Sequence, residues 1–188
     1  MATEKPNYKI LKKDANIELR EYAGYIRASV DVRGSSNNNA GNNAFSVLAD
    51  YIFGNNVDTS NIKMTVPVMT QKHRISKKIP MTAPVLTIQT DDDMYEVSFI
   101  MPSEYTMKTI PEPVNKLISL HEVAKHRAAA IIFSGRSGED TIRSHTSIVS
   151  DWILKNKLIQ NGSPFLARYD PPWKPGFICR NEVIVNVK

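Results

Sequence analysis

Residues 63–85 read KMTVPVMTQKHRISKKIPMTAPV and contain the pattern Met-Thr-x-Pro-Val twice, at residues 64–68 and 81–85. Each copy combines β-branched residues, which favour an extended backbone, with a proline, which has no N–H to donate to a neighbouring strand. Such a proline belongs at a strand end, an edge or a bulge. The stretch therefore predicts two irregular strands joined by an exposed basic loop over residues 71–78, and it divides the chain into two halves.

The two halves repeat each other when the sequence is shifted by 101 positions. Two helical stretches then align without a gap, so that Val47, Leu48, Tyr51 and Ile52 fall on Ile148, Val149, Trp152 and Ile153. A period of about half the chain predicts two copies of a strand–helix–strand–strand unit, over residues 8–102 and 109–188. Neither copy can bury its sheet face and helix stripe alone, so we expect one domain over residues 8–188.

Local patterns place the remaining elements. Alternating apolar residues over 17–32, interrupted at Gly24, predict two strands or one bent strand, and residues 95–101 predict another strand. The Ser/Asn/Gly-rich run over 34–43 predicts a loop before a helix that starts near Ala44. Ser137 is expected to cap the second helix, and Cys179 is expected to be a small buried residue of a strand.

Composition limits the class of protein. The chain has 188 residues, 41% hydrophobic and 23% charged, as in ordinary globular proteins. One cysteine excludes an internal disulfide and a cysteine zinc site. We find no signal-peptide core and no apolar run near ~18 residues, so we expect a cytoplasmic protein with no membrane span. The net charge of +5 permits an anionic partner without requiring one.

The sequence lacks the familiar catalytic signatures: it has no nucleophile elbow, Walker loop, dinucleotide fingerprint or zincin motif. We therefore expect a protein that is not an enzyme. Of the four histidines, His73 lies in the basic loop, and His145 lies on the apolar stripe of the second helix. His145 is either a core residue or a ligand for a haem iron.

The segment from 169 to 175, YDPPWKP, has too many prolines for a central strand and predicts a rigid loop. It carries Tyr169, Trp173 and Lys174, and Arg180 follows. Aromatic faces beside cations suit a flat, apolar, anionic ligand; alternatively, Trp173 only fills the end of a barrel. Since the remaining positive charge is dispersed, we expect no binding of nucleic acid.

Several motifs occur in one order along the chain, at residues 63–68, 80–85, 97–103, 133–136, 169–175 and 180–182. Together they resemble the SOUL haem-binding protein family, and the doubled Met-Thr-x-Pro-Val pattern resembles its prokaryotic and plant-type branch. The resemblance implies an α+β fold: a distorted antiparallel β-barrel flanked by two helices, built from a duplicated βαββ unit and similar to gyrase-inhibitor-type effector-binding domains. It also implies reversible, non-catalytic binding of haem or another tetrapyrrole.

By position, the family's groove corresponds here to the helix face over residues 42–52 and the loop over 169–180. The implied ligand-binding residues are Phe45, Leu48, Ala49, Ile52, Tyr169, Trp173, Lys174 and Arg180. Two family features are missing, because Arg20-Glu21-Tyr22 replaces an Arg-His-Tyr, and Asn42 and Asp50 replace basic residues. Haem would then bind mainly through apolar contact and with modest affinity, with His145 as the candidate axial ligand.

A second interpretation stays open: a binding or sensing module for another amphipathic small molecule, as the effector-binding domains imply. A buried carboxylate that opens onto the groove would favour this second interpretation for a cationic ligand, or an enzyme. Glu182 and Glu122, both in predicted strands, are the candidates for such a carboxylate. The sequence specifies neither an oligomeric state nor a protein partner.

Overall fold

The computed structural model describes residues 3–58, 76–171 and 174–188. Four features named above lie outside these ranges: the first Met-Thr-x-Pro-Val copy, most of the basic loop, His73 and Trp173. In the second copy, only Val85 belongs to a strand, and the Ala83–Pro84 peptide bond is cis. This copy is therefore irregular, as its proline predicts.

The described chain forms eleven strands, two α-helices and one short 3-10 helix. The elements of the first half are β1 (Tyr8–Asp14), β2 (Ile17–Tyr22), β3 (Tyr25–Arg33), α1 (Asn37–Phe53), β4 (Asn56–Val57), β5 (Val85–Asp91) and β6 (Met94–Ile100). Those of the second are β7 (Glu112–Pro113), β8 (Ser119–Val123), β9 (His126–Ser134), α2 (Glu139–Lys155), β10 (Phe165–Arg168), the 3-10 helix (Gly176–Ile178) and β11 (Arg180–Val187).

Nine strands form one antiparallel sheet in the order β1-β2-β9-β11-β10-β5-β6-β3-β8. Read from its two ends, the order β2-β9-β11-β10 mirrors β8-β3-β6-β5, with the symmetry axis between β10 and β5. Each half thus contributes three neighbouring strands, β3-β6-β5 or β9-β11-β10, and one strand that lies beside the other half. The first strand of each half is exchanged between the halves. β2 pairs with β9 of the second half, and β8 pairs with β3 of the first half. This order confirms the duplicated βαββ unit.

The sheet is strongly curled into a half-barrel. β9 and β3 are five positions apart in the sheet, which would separate them by roughly 24 Å if the strands lay flat. The ring centroids of His126 on β9 and Tyr25 on β3 are nevertheless 5.9 Å apart. The face that carries these two rings is therefore the concave, inner face of the half-barrel.

Both helices pack on the opposite, outer face. α1 contacts β3, β5 and β6, and α2 contacts β9 and β11. Leu48 of α1 and Val149 of α2 are fully buried, and so are Ile52 and Ile153 one turn later. These pairs are related by the shift of 101 positions, so the helices use equivalent residues to cover the two halves of the sheet.

Three local expectations were wrong. Residues 37–43 are helical, because Ser36 caps α1 by accepting the N–H of Asn39 at 3.2 Å. The N-cap of α2 is Gly138 rather than Ser137, and it makes no side-chain hydrogen bond. Cys179 follows the 3-10 helix and is half-buried instead of lying inside a strand.

Strand β1 was not predicted, because all its side chains except that of Tyr8 are exposed at the edge of the sheet. A strand in such a position shows no apolar alternation. Neither helix of the described chain combines the length and the apolar character that crossing a lipid bilayer requires.

Candidate functional site

The inner face of the half-barrel carries aromatic and charged side chains, whereas the outer face is apolar and mixes aliphatic and aromatic side chains. Because side chains alternate along a strand, Val97 and Phe99 of β6 face the helices while Ile100 faces inward. The inner face combines small residues with large rings: Ala128, Ala130 and Ala167, with Tyr8, Tyr22, Tyr25, Phe165 and Tyr169. Arg20 and Glu182 also point inward, at alternate positions of β2 and β11.

Arg20 and Glu182 form the centre of this face. The two guanidinium nitrogens Nη1 and Nη2 of Arg20 donate to the two carboxylate oxygens of Glu182, at 2.6 and 3.1 Å. Neither side chain has any exposed surface. Arg20 also donates to Glu18 at 2.9 Å and to the hydroxyl of Tyr22 at 3.0 Å, so its donors on both sides are used. A buried ion pair needs such additional hydrogen bonds to offset desolvation.

Two further groups reach Glu182 from its solvent side. The hydroxyl of Tyr169 donates to Glu182 Oε2 at 2.9 Å, and the Nε of Arg180 donates to Oε1 at 3.2 Å. The Arg180 guanidinium also lies over the Tyr169 ring, 4.7 Å from its centroid. Burial by itself would raise the pKa of Glu182, but the hydrogen bonds and charges of Arg20 and Arg180 outweigh it and hold the pKa below its ordinary value.

The tyrosines respond to the same environment. Burial raises the pKa of Tyr169 and of Tyr22 well above the ordinary value, although the charge of Arg20 opposes the shift in both. Both hydroxyls therefore stay protonated at neutral pH, and Tyr169 acts as a donor to Glu182.

The two candidate carboxylates differ in their surroundings. Glu182 is fully hydrogen-bonded within the protein, and Glu122 is exposed on the edge strand β8. Neither has the properties of a buried carboxylate awaiting a cationic ligand.

The loop between β10 and β11, residues 169–179, carries the other charged candidates. Lys174 donates to Asp170 Oδ1 at 2.5 Å, and the backbone N–H of Arg180 donates to Oδ2 at 2.7 Å. These bonds lower the pKa of Asp170, the Lys174 hydrogen bond most. The carboxylate of Asp170 therefore links the start of the loop to Lys174 in the loop and to Arg180 at its end. It also exposes two large apolar side chains, Phe177 at 79% and Ile178 at 51%.

The predicted site residues lie in two separate places. Tyr169 and Arg180 meet on the inner face, whereas Leu48, Ala49 and Ile52 belong to α1 on the outer face and are buried. Leu48 and Ile52 have 0% and 1% of their surface exposed, so they offer no contact area to a ligand in this conformation. Phe45, which meets the Phe99 ring edge-on, keeps 39% of its surface exposed.

His145 lies on α2 with its ring stacked on Phe133, the centroids 4.1 Å apart. Its Nδ1 is 2.7 Å from the carbonyl oxygen of Thr141, an acceptor, so Nδ1 carries the proton. The Nε2 of the neutral ring then has a free lone pair, which is the arrangement of a metal-binding histidine. Within the described ranges, no group of three or more His, Cys, Asp or Glu side chains could hold a metal ion.

Two cavities accompany these features. The first, of about 170 Å³, lies under the N-terminal segment (residues 3–7) and is lined by Tyr25, Ile100 and Tyr105. The second is a groove of about 500 Å³ on the outer face, between the start of α1 and one side of α2. Its floor is Thr87, Leu166 and Val183, its wall includes Ile142 and Arg143, and its rim carries Asp91, Asp92 and Glu139.

Sequence reasoning missed Arg20, Tyr22 and Lys5 as members of the inner-face cluster. Arg20 and Tyr22 entered the prediction only as part of a replaced Arg-His-Tyr motif. Their shared direction follows from their spacing of two residues in a strand. Their partner Glu182, however, lies 162 positions from Arg20, and no local pattern connects residues that far apart.

Comparison with known structures shows the fold. The C-terminal domain of EcmrR superposes with a TM-score of 0.63 at 12% identity, over 96% of this chain and 98% of that one. An uncharacterized conserved protein from Listeria innocua gives 0.59 at 10% identity, over 92% of both chains. A hydrolase from the same organism gives 0.58 at 10% identity, over 95% and 94%. At these identities the likeness concerns the fold alone.

No curated protein matches the sequence at a significant level. A family model described as SOUL heme-binding protein matches residues 3–77 and 71–186, which together span nearly the whole chain. The two segments overlap over residues 71–77, in the stretch of sequence between the two Met-Thr-x-Pro-Val copies. The chain therefore belongs to the SOUL heme-binding protein family.

Proposed function

We propose that this protein binds haem or another tetrapyrrole reversibly, as a carrier or buffer without catalysis, at the loop between β10 and β11. The observation that carries the proposal is the exposure of Phe177 and Ile178 in a loop that also presents Arg180. A tetrapyrrole such as haem has a flat apolar ring and carboxylate side chains. Exposed apolar groups beside a cation match both parts of such a ligand.

Neither cavity suits haem. The inner cavity of about 170 Å³ is smaller than ordinary ligand pockets, which begin near ~300 Å³. The outer groove is large enough, but Asp91, Asp92 and Glu139 at its rim would repel carboxylates. A surface site at the loop therefore fits better. It includes the predicted residues Tyr169, Lys174 and Arg180, with Trp173, which lies outside the described ranges, as a further candidate.

His145 is the candidate ligand for a haem iron, because its Nδ1 is engaged by the carbonyl oxygen of Thr141 and Nε2 is the ring nitrogen left for a metal. The ring stacks on Phe133 near the end of β9, and the loop is tied to the same end by the Gly135 N–H, which donates to the carbonyl oxygen of Cys179 at 3.3 Å. If haem binds there, the Nε2 of His145 would be the nitrogen that ligates its iron. The protein's own contribution is apolar contact and a cation, so affinity should be modest.

A titration with haemin, followed by the Soret band, tests the proposal. We expect saturation near one equivalent, and weaker binding in Phe177→Ser and Trp173→Ala. Phe53→Ser is the matched control, since Phe53 is also 60% exposed but ends α1 on the other face. A spectrum that stays that of free haemin would contradict the proposal. A sharp six-coordinate spectrum that His145→Ala removes would assign the axial ligand.

One observation favours a second candidate, a module for a cationic amphipathic molecule. The outer groove has an apolar floor at Leu166 and Val183, and three carboxylates at its rim. This combination suits a ligand with an apolar body and a positive charge. A screen of cationic amphiphiles, with Asp91→Asn as the test variant and Asp50→Asn as the control, distinguishes it from the tetrapyrrole proposal.

A further inference from the structure

The ring of Tyr169 has two cations over it, from opposite ends of the chain. The guanidinium carbon of Arg180 is 4.7 Å from the ring centroid, and the Nζ of Lys5 is 5.4 Å from it. The ring is held in place because its hydroxyl donates to the fully buried Glu182 at 2.9 Å. Both cations therefore lie within cation–π distance of one fixed aromatic ring.

The backbone around Lys5 is fixed on both sides. The carbonyl oxygen of Glu4 accepts the N–H of Ala83 at 2.9 Å, and its carboxylate accepts the N–H of Ser103 at 2.9 Å. Two residues beyond Lys5, the carbonyl oxygen of Asn7 accepts the N–H of Ala23 at 2.9 Å. The N-terminal segment thus crosses the end of the half-barrel as a tethered strap, with the Lys5 side chain directed at Tyr169.

Both cations can accept another anion. Lys5 is exposed, and the carboxylate on which its charge acts, Asp170, is paired with Lys174 instead. Arg180 keeps 37% of its side chain exposed while it contacts Glu182. Glu182 does not depend on Arg180, because Arg20 holds both of its oxygens and Tyr169 donates to one. The Arg180 guanidinium is therefore free to turn toward a ligand without leaving a buried charge unpaired.

We propose that Lys5 and Arg180 together bind the anionic group of the ligand, above the ring of Tyr169. This inference rests on the proposed function and deepens it, because it assigns the N-terminal segment to the binding site and selects ligands with a free carboxylate. The loop residues Phe177 and Ile178 supply the apolar contact, and the two cations supply the discrimination between acid and ester.

The test compares protoporphyrin IX with its dimethyl ester, which has the same ring and no charge. We expect Lys5→Met to weaken binding of the acid about three- to tenfold and to leave the ester unchanged. Lys5→Arg should restore binding of the acid. Lys9 is an exposed lysine of β1, and Lys9→Met should have no effect on binding. Added salt should weaken binding of the acid alone.

Equal effects of Lys5→Met on both porphyrins, or no effect on either, would overturn the inference while tetrapyrrole binding itself stands. If neither porphyrin binds, the fluorescent amphiphile 8-anilinonaphthalene-1-sulfonate decides the matter. If this sulfonate binds and its binding depends on Lys5 and Arg180, the anion site stands and a tetrapyrrole is not its ligand. Binding that ignores both residues would overturn the inference together with the proposed function.

Discussion

Arg20 and Glu182 are paired through two hydrogen bonds, and neither side chain reaches solvent. The pair joins β2 of the first half to β11 of the second, across the strand β9 that lies between them. It is therefore both the charged centre of the inner face and a connection between the two halves.

Replacing Glu182 by Gln should destabilise the protein by about 3 kcal/mol, because the fully buried Arg20 would keep Glu18 as a partner but lose the carboxylate that accepts two of its hydrogen bonds. The free energy of unfolding in urea measures this effect. Glu122→Gln, at an exposed position of β8, is the matched control and should change stability by less than ~0.5 kcal/mol. A Glu182→Gln variant as stable as the wild type would show that the pair contributes nothing.

Acid should weaken the fold for the same reason. The pKa of Glu182 is lowered in the folded chain from an ordinary value of 4.5, so the unfolded chain binds more protons in this range. Stability contributed by this carboxylate is present above pH 4.5 and is lost as the pH falls through the lower, folded pKa. Urea midpoints measured from neutral to acidic pH should therefore fall, and they should fall less in Glu182→Gln.

Alkali should act through the tyrosines. Burial raises the pKa of Tyr22, Tyr51 and Tyr169 above the ordinary value of 10.0. Stability from these groups is complete below pH 10.0 and declines as the pH rises toward their folded pKa values. The tyrosinate absorbance near 295 nm should thus show that these three hydroxyls ionise above the ordinary pKa and as the protein unfolds. Titration of all tyrosines near the ordinary pKa would contradict this.

Arg168 presents the opposite case to Arg20. Its Nε and Nη2 are buried and have no hydrogen-bond partner among the described residues, and burial lowers its pKa. Arg168→Met should therefore be neutral or stabilise by about 1 kcal/mol, since it removes an unpaired charge and keeps an apolar side chain of similar length. Arg143→Met, an exposed position of α2, is the control. A loss above ~1 kcal/mol would reveal a favourable role for this charge.

Leu48→Ala should cost about 2–5 kcal/mol, because the side chain lies in the core between α1 and the sheet. Phe45→Ala, on the same helix but 39% exposed, should cost less than half as much. Comparing unfolding free energies with haemin affinities for both variants separates stability from ligand contact. If Leu48→Ala binds haemin more weakly but unfolds like the wild type, the ligand-binding groove includes α1 after all.

The repeat was visible in the sequence because both halves bury the same helix positions, and burial restricts those positions to large apolar residues. The beginning of α1 was not visible, because Ser36 and three consecutive asparagines also suit a loop; only the cap hydrogen bond and the packing of Ala40 decide the matter. Propensity is a weak guide where tertiary contacts dominate.

The site was harder to predict than the fold. The loop over 169–179 could be identified from its prolines and aromatic residues, since these are local features. Its attachment to Arg20 and Lys5 could not, because those contacts join residues more than 150 positions apart. A charged residue in a strand, such as Arg20, is more often a solvent-facing one, and only the curl of the sheet encloses it.

The exchange of β2 and β8 between the halves has a consequence for the origin of this chain. In a lone βαββ unit, the first strand would have no neighbouring strand to pair with. A second copy of the same unit is the natural source of that partner. The present polypeptide is thus equivalent to a strand-swapped homodimer whose subunits have been joined end to end. The two halves are not identical at their shared centre, because the first supplies Arg20 and the second supplies Glu182, so the contact between them is that of a heterodimer within a single chain.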